Sequence, residues 1–376
     1  MKNILLGLVV AASAANISTA AARDAISIVG SSTVYPFATV VAERFGKSTE
    51  FKAPKVESTG SGGGLKLFCK GVGVSTPDIT NASRRIKQSE YDQCQENGVT
   101  DIIEVLIGYD GIVLANAKGE APMELTRKDI YLALAKQVPG KDGKLIDNPH
   151  KTWNDVNPAL PASKIEVLGP PPTSGTRDAF AELALEGGAR QIADIAALRD
   201  LKAGQLDEIK ALVAKLGIES AWEAAVAKKG AKAKGKDVVK IIGRAVREDG
   251  AYIEAGENDN LIVNKLVANP NALGIFGFSF LDQNSDKVQG SLVDGNEPTF
   301  EAIADGDYVV SRPLYFYVKK AHVGTVPGIA EYLKAFVHED AIGEEGYLLD
   351  KGLIPLGESK YDEMASNARS LTSLEL

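Results

Sequence analysis

Ile26-Ser27-Ile28-Val29, then Gly30-Ser31-Ser32-Thr33, then Val34 onward, reads as a strand, a turn and a helix in direct succession. Val34, Phe37, Val41 and Phe45 recur at spacings of three to four residues, which gives the helix one apolar stripe for a core. The same succession returns with different residues. Lys55-Val56-Glu57-Ser58 leads through Thr59-Gly60-Ser61-Gly62-Gly63-Gly64 into Leu65-Lys66-Leu67-Phe68. Far downstream, Ile165-Glu166-Val167-Leu168 passes a proline-rich turn to Thr173-Ser174-Gly175-Thr176, and Arg177 to Leu185 continues as a helix with Phe180 and Leu183 inward. These copies are not a tandem repeat. Alternating strand and helix predicts an α/β architecture.

Two further strands set the domain organisation. Ile102 to Asn116 reads as a strand leaving the first domain, and Leu314-Tyr315-Phe316-Tyr317-Val318 reads as one returning to it. The first domain is therefore expected to be discontinuous, residues 23–113 with 312–376, and the second to span 114–311. Lys228 to Lys236 consists only of Lys, Gly and Ala, and is expected to be a solvated loop. No role is evident in the sequence for the long middle insertion, residues 187–236.

A turn that opens a helix leaves backbone N–H groups unpaired, with the positive end of the helix dipole behind them. Glycine lets a ligand approach that backbone, and Ser or Thr adds a hydroxyl. Any one such turn is adequately explained as a helix cap. Three of them in one α/β chain can converge, because helix starts at the carboxyl ends of strands face a common crevice. A shared oxyanion site is the expectation. Between the turns, Asp78-Ile79-Thr80-Asn81-Ala82-Ser83-Arg84-Arg85 offers guanidinium forks suited to two parallel hydrogen bonds. Arg84 is assigned to the ligand and Arg85 to solvent.

Composition bounds the rest. The 376 residues, 44% hydrophobic and 24% charged, suit an ordinary globular protein of two domains. Lys2, the apolar run Ile4 to Ala15 and Ala20-Ala21-Ala22 read as an export signal, residues 1–22, cleaved near Ala22. No later stretch approaches the roughly 20 apolar residues of a membrane-spanning helix. Loss of Lys2 with no acid takes the formal charge from -8 to -9. A negative protein has no general field for nucleic acid or anionic lipid, so attraction for an anion must be local. Cys69 and Cys94, the two cysteines, are expected to be joined in an oxidising compartment. The histidines are His150, His322 and His338, widely scattered, and neither a metal site nor a cofactor is expected.

Gly30-Ser31-Ser32-Thr33-Val34, Ser58-Thr59-Gly60-Ser61-Gly62-Gly63-Gly64, Asn81-Ala82-Ser83-Arg84 and Thr173-Ser174-Gly175-Thr176-Arg177 together resemble the ordered motif set of the phosphate-binding component of bacterial phosphate ABC importers. The ending Gly352-Leu353-Ile354-Pro355-Leu356 resembles that family too. The resemblance implies a two-domain periplasmic binding protein that closes on inorganic phosphate in an inter-domain cleft. It also implies a monomer that delivers its ligand to an inner-membrane ABC permease and is not an enzyme. Residue by residue, it implies Ser32, Thr33 and the Val34 amide from the first turn, Ser61 from the second, Arg84, and Ser174, the Gly175 amide, Thr176 and Arg177 from the third. Many relatives carry an Arg and an acid before the third turn, where this chain has Gly169-Pro170-Pro171-Pro172, and an Asp near Ser83 or Arg84. An acid that accepts the proton of phosphate would reject sulfate. Asp178 is the expected ligand acid, and Asp249 in Arg247-Glu248-Asp249-Gly250 is a second candidate.

Three other classes compete. A binding protein for sulfate or molybdate would use the same turns. A secreted phosphatase would need a metal cluster or a nucleophile with its base, and neither pattern is visible. Gly60-Ser61-Gly62-Gly63-Gly64 lacks the Gly-Lys-Ser/Thr ending of a nucleotide-binding loop.

Overall fold

The computed structural model describes residues 23–256 and 259–376, and the expected export signal lies outside them. Among the described residues one large sheet organises the chain. Its strands are β1 (Ser27–Gly30), β2 (Lys55–Ser58), β3 (Ile79–Ala82), β4 (Ile102–Ala117), β5 (Val167–Gly169), β6 (Tyr252–Glu254), β7 (Leu273–Gly277), β8 (Val288–Gly290) and β9 (Ser311–Lys319). Their order is β2-β1-β3-β9-β4-β7-β5-β6, with β8 also on β4. At one end, β2, β1 and β3 are parallel; at the other, β7, β5 and β6 are parallel. Antiparallel β9 and β4 join the two wings.

The long strand β4 is shared between both wings. Residues 102–111 pair with β9, whereas residues 112–117 pair with β7 and β8. Covered on both faces, it reads as an almost continuous apolar run rather than an alternating one. Gly108 sits in it at φ 141°, and a Cβ there would meet the Ile354 carbonyl oxygen at 2.4 Å. Tyr109 and Ile354 exchange both backbone hydrogen bonds at this point, which fastens the Gly352–Leu356 segment to the centre of the sheet.

Helices cover the wings. Phe37, Val41 and Phe45 of α1 (Tyr35–Ser48) are buried, as their spacing predicts. Helix α2 (Ser61–Phe68) follows Gly60, whose φ of 73° favours glycine. It packs so closely that a Cβ on Gly64 would lie 2.5 Å from the Gly30 Cα. Cys69, at the end of α2, is bonded to Cys94 of α3 (Gln88–Glu96), and both are buried. Helix α4 (Gly175–Phe180) runs through a π turn, Ala181–Leu185, into Glu186–Ala189.

The middle insertion is helical. Helices α5 (Ala193–Asp200), α6 (Leu206–Leu216), α7 (Glu219–Lys229) and α8 (Gly235–Gly243) bury Ile195, Leu198, Ile209, Val213, Leu216, Val239 and Ile242 in a second core that they share with Tyr131, Ala135, Val138 and Leu145. At Lys228–Lys236, where a solvated loop is expected, residues 228–232 and 234 are exposed, but the stretch is a corner between two helices rather than a free loop. Lys228 and Lys229 close α7, Gly230 breaks it at φ 58°, and Lys236 lies in the first turn of α8. Ala233 is buried, and Gly235 lies so close to Leu198 that a Cβ would meet its carbonyl oxygen at 1.6 Å. Low complexity here reflects small residues at a tight crossing, not an absence of packing. Among the described residues no helix is long and apolar enough to cross a membrane.

Candidate oxyanion site

The register of the first wing places the turns. Gly30 is level with Ser58 on one side and Asn81 on the other, so the carboxyl ends of three adjacent parallel strands open at one edge. Ser31-Thr33, Thr59-Gly63 and Ser83-Arg84 leave from that edge together. They line one cavity of about 820 Å³. Ser31 is buried, and its Oγ accepts the Thr33 and Val34 amides at 3.2 and 3.4 Å, which shapes the first turn. Ser61 Oγ accepts the Ser83 amide at 3.0 Å and lies 3.2 Å from Ser83 Oγ, tying the second turn to the arginine segment.

Arg84 lines this cavity, and both arms of its fork are held by Glu90, at 2.8 and 2.7 Å. Those hydrogen bonds raise the Arg84 pKa above its ordinary value. Burial acts to raise the Glu90 carboxyl, but bonding to Arg84 overcomes it and leaves the acid below its ordinary value. Arg85 turns away to Glu104 and is half exposed.

The third turn meets the first at a smaller cavity of about 130 Å³, lined by Thr33, Asp110, Gly175, Thr176, Asp259 and Gly277 among others. Thr33 thus belongs to both cavities. Ser174 caps α4 by accepting the Thr176 amide at 3.2 Å. Arg177 lies 4.0 Å above the Tyr252 ring and donates to the Pro170 carbonyl at 3.3 Å. Asp178 is exposed, and Val34, Ser174, Arg177 and Asp178 are not among the residues lining the two cavities. Asp249 is held by Arg247, whose hydrogen bonds depress its pKa, and Arg247 is anchored on the Ala133 and His150 carbonyls. This acid borders a separate cleft with Lys136 and Asn148.

Residues not singled out in the sequence also line these cavities. Arg312, nearly buried at the start of β9, donates to Thr33 Oγ1 at 2.5 Å, to Asp110 at 3.2 Å and to Glu182 of the π turn at 3.3 Å. Burial raises the Asp110 pKa, and Arg312 opposes it. Burial likewise pushes Asp259 up to about 6, against a 3.3 Å hydrogen bond from the Gly277 amide. A sequence signal existed for one pair: Asp110 interrupts the apolar run of β4, and Arg312 stands at the head of another, where unpaired charges are rarely buried.

An α/β sheet with two parallel wings, joined at antiparallel strands beside a polar cleft, defines a two-lobed binding-protein fold. Residues 15–339 match the PBP superfamily domain, and the chain belongs to that superfamily. It is 28% identical over 346 residues to the phosphate-binding protein PstS of Staphylococcus saprophyticus, covering 90% of this chain and 82% of that one. Protein SphX of Synechocystis is 26% identical over 347 residues, with 90% and 80% covered. Among solved structures, a possible phosphate binding protein from Planctomyces limnophilus superposes with a TM-score of 0.66 at 23% identity, covering 93% of this chain and 99% of that one. PstS from Borrelia burgdorferi gives 0.51 at 16% identity, with 89% and 100% covered.

Proposed function

We propose that this protein is an exported, periplasmic binding protein that captures inorganic phosphate between two lobes and hands it to an inner-membrane ABC permease, without turnover. The lobes are residues 23–113 with 312–376, and residues 114–311. The observation that carries this reading is Thr33, which fronts both cavities and accepts from Arg312. The names of the relatives support phosphate as the oxyanion.

In this reading phosphate sits at Thr33 with the Ser32 and Ser61 hydroxyls, the Val34 amide and Arg84 on one side. The Gly175 amide and the Ser174 and Thr176 hydroxyls approach from the other. Arg312 supplies the guanidinium that relatives place before the third turn, where this chain has prolines. Asp259 and Asp110, rather than Asp178 or Asp249, are the acids beside that position, and Asp259 can accept the proton of phosphate. The chain acts as a monomer that closes about the β4–β9 crossover.

Titration calorimetry of ligand-free protein with phosphate, sulfate and molybdate tests this. Phosphate binding at one site, with sulfate much weaker, supports it. Equal sulfate affinity would assign a general oxyanion carrier, and release of phosphate from an ester would assign a phosphatase.

A further inference from the structure

The larger cavity, of about 820 Å³, carries more cations than one phosphate can neutralise. Its wall carries Lys66, Lys87, Lys229, Lys236 and Lys240, and none of these lysines forms an ion pair among the described residues. Arginines Arg84, Arg244 and Arg312 share the wall but are already held by carboxylates. Glu182 is the acid in the lining, and it is engaged by Arg244 and Arg312. Such a concentration of cations in a protein of net charge -8 is local by construction.

We propose that this cavity binds an anion carrying several phosphoryl groups, with one group at the Thr33 and Ser61 turns and the others among the lysines of the helical insertion. The proposal rests on the phosphate-capture reading for its first subsite. Lys229 closes α7, and Lys236 and Lys240 lie one turn apart on α8, so the insertion contributes three lysines to the cavity wall that the turns also line. Lys236 is partly buried there, which depresses its pKa, and repulsion from Lys240 and, from α3's entry, Lys87 depresses it further. Like charges held together without an ion pair gain from an anion that bridges them. Lysine also suits the task, because its ammonium follows a flexible anion as a point charge. The lining contains no aromatic ring on which a base could stack, which favours a condensed phosphate or a polyphosphorylated polyol over a nucleotide.

The test is calorimetry at fixed ionic strength with orthophosphate, tripolyphosphate, inositol hexakisphosphate and ATP, on the wild type and on the triple variant Lys229→Ala, Lys236→Ala, Lys240→Ala. Tripolyphosphate or the inositol phosphate is expected to bind the wild type at least tenfold more tightly than orthophosphate. The triple variant should lose that gain and keep its orthophosphate affinity within about twofold, and far-ultraviolet circular dichroism should match the wild type. Whichever polyanion shows the gain identifies the ligand as linear or cyclic. If neither binds more tightly than orthophosphate, or the triple variant retains the gain, the proposal is overturned while phosphate capture stands. Polyanion binding without orthophosphate binding would overturn phosphate capture and, with it, the first subsite of the proposal. Preference for ATP over both would overturn the ligand class.

Discussion

Arg312 Nη2 donates to Thr33 Oγ1 at 2.5 Å, across 279 residues of chain, and so joins the returning strand β9 to the turn that opens α1. The contact places a fixed guanidinium where the first turn presents its hydroxyl. It also makes Arg312 answerable to three partners at once, Thr33, Asp110 and Glu182.

Replacing Arg312 by Lys keeps the charge and removes the fork. Hydrogen bonds to charged groups contribute about 1.5–3 kcal/mol each, so Arg312→Lys should weaken phosphate binding by at least about tenfold. Arg312→Met should do worse and also lower the melting temperature, because Asp110 is then left buried without a partner. Calorimetry and thermal denaturation separate the two effects.

Arg84, which lines the larger cavity, and Arg85, which does not, are each paired with a glutamate. Arg84→Ala should weaken phosphate binding severely, whereas Arg85→Ala, which removes an exposed pair with Glu104, should change it little. The reverse order in a binding titration would reassign the cation.

Asp259 gives the ligand-free protein a pH dependence of definite sign. Its folded pKa, pushed up to about 6, lies above the ordinary 3.8, so the folded state binds the extra proton. Its contribution to stability is full below about pH 4 and is lost as pH rises through about 6. Denaturant titrations from pH 4 to 7 should show this decline for the wild type and a flatter profile for Asp259→Asn.

The Cys69–Cys94 bond closes a loop with a sequence separation of 25 between α2 and α3. Loops of this length are stabilised by about 3 kcal/mol when cross-linked. Cys69→Ala with Cys94→Ala should lower the denaturation midpoint accordingly.

Gly64 tests the seating of α2. Gly64→Ala would drive a methyl against Gly30 and Thr80 Oγ1, at 2.5 and 2.6 Å, and overpacking of this kind costs about 1–3 kcal/mol. Loss of phosphate affinity in the folded variant would show that the second turn moved with the helix.

Local pattern made much of the frame legible. The strand–turn–helix units at Gly30, Gly60 and Ser174, and the crossing strands now seen as Ile102–Ala117 and Ser311–Lys319, follow from short-range periodicity. The Arg312–Thr33 contact does not, since nothing near either residue specifies the other. At Lys228–Lys236 the sequence conveyed the exposure of residues 228–232 and 234 but not the burial of Ala233 or the close approach of Gly235 to Leu198, which is remote in sequence. The third turn was equally legible as a helix start. What its sequence could not convey is that Arg177 would be drawn onto Tyr252, 75 residues on, by a ring contact set by the strand pairing of β5 with β6.

The most direct test is a crystal structure of the protein with phosphate bound. Phosphate oxygens within hydrogen-bond distance of Thr33 Oγ1 and the Arg312 guanidinium, with the Gly175 amide closing from the other lobe, are the expected result. Phosphate bound elsewhere, with Arg312 still directed only at Thr33, Asp110 and Glu182, would contradict the account.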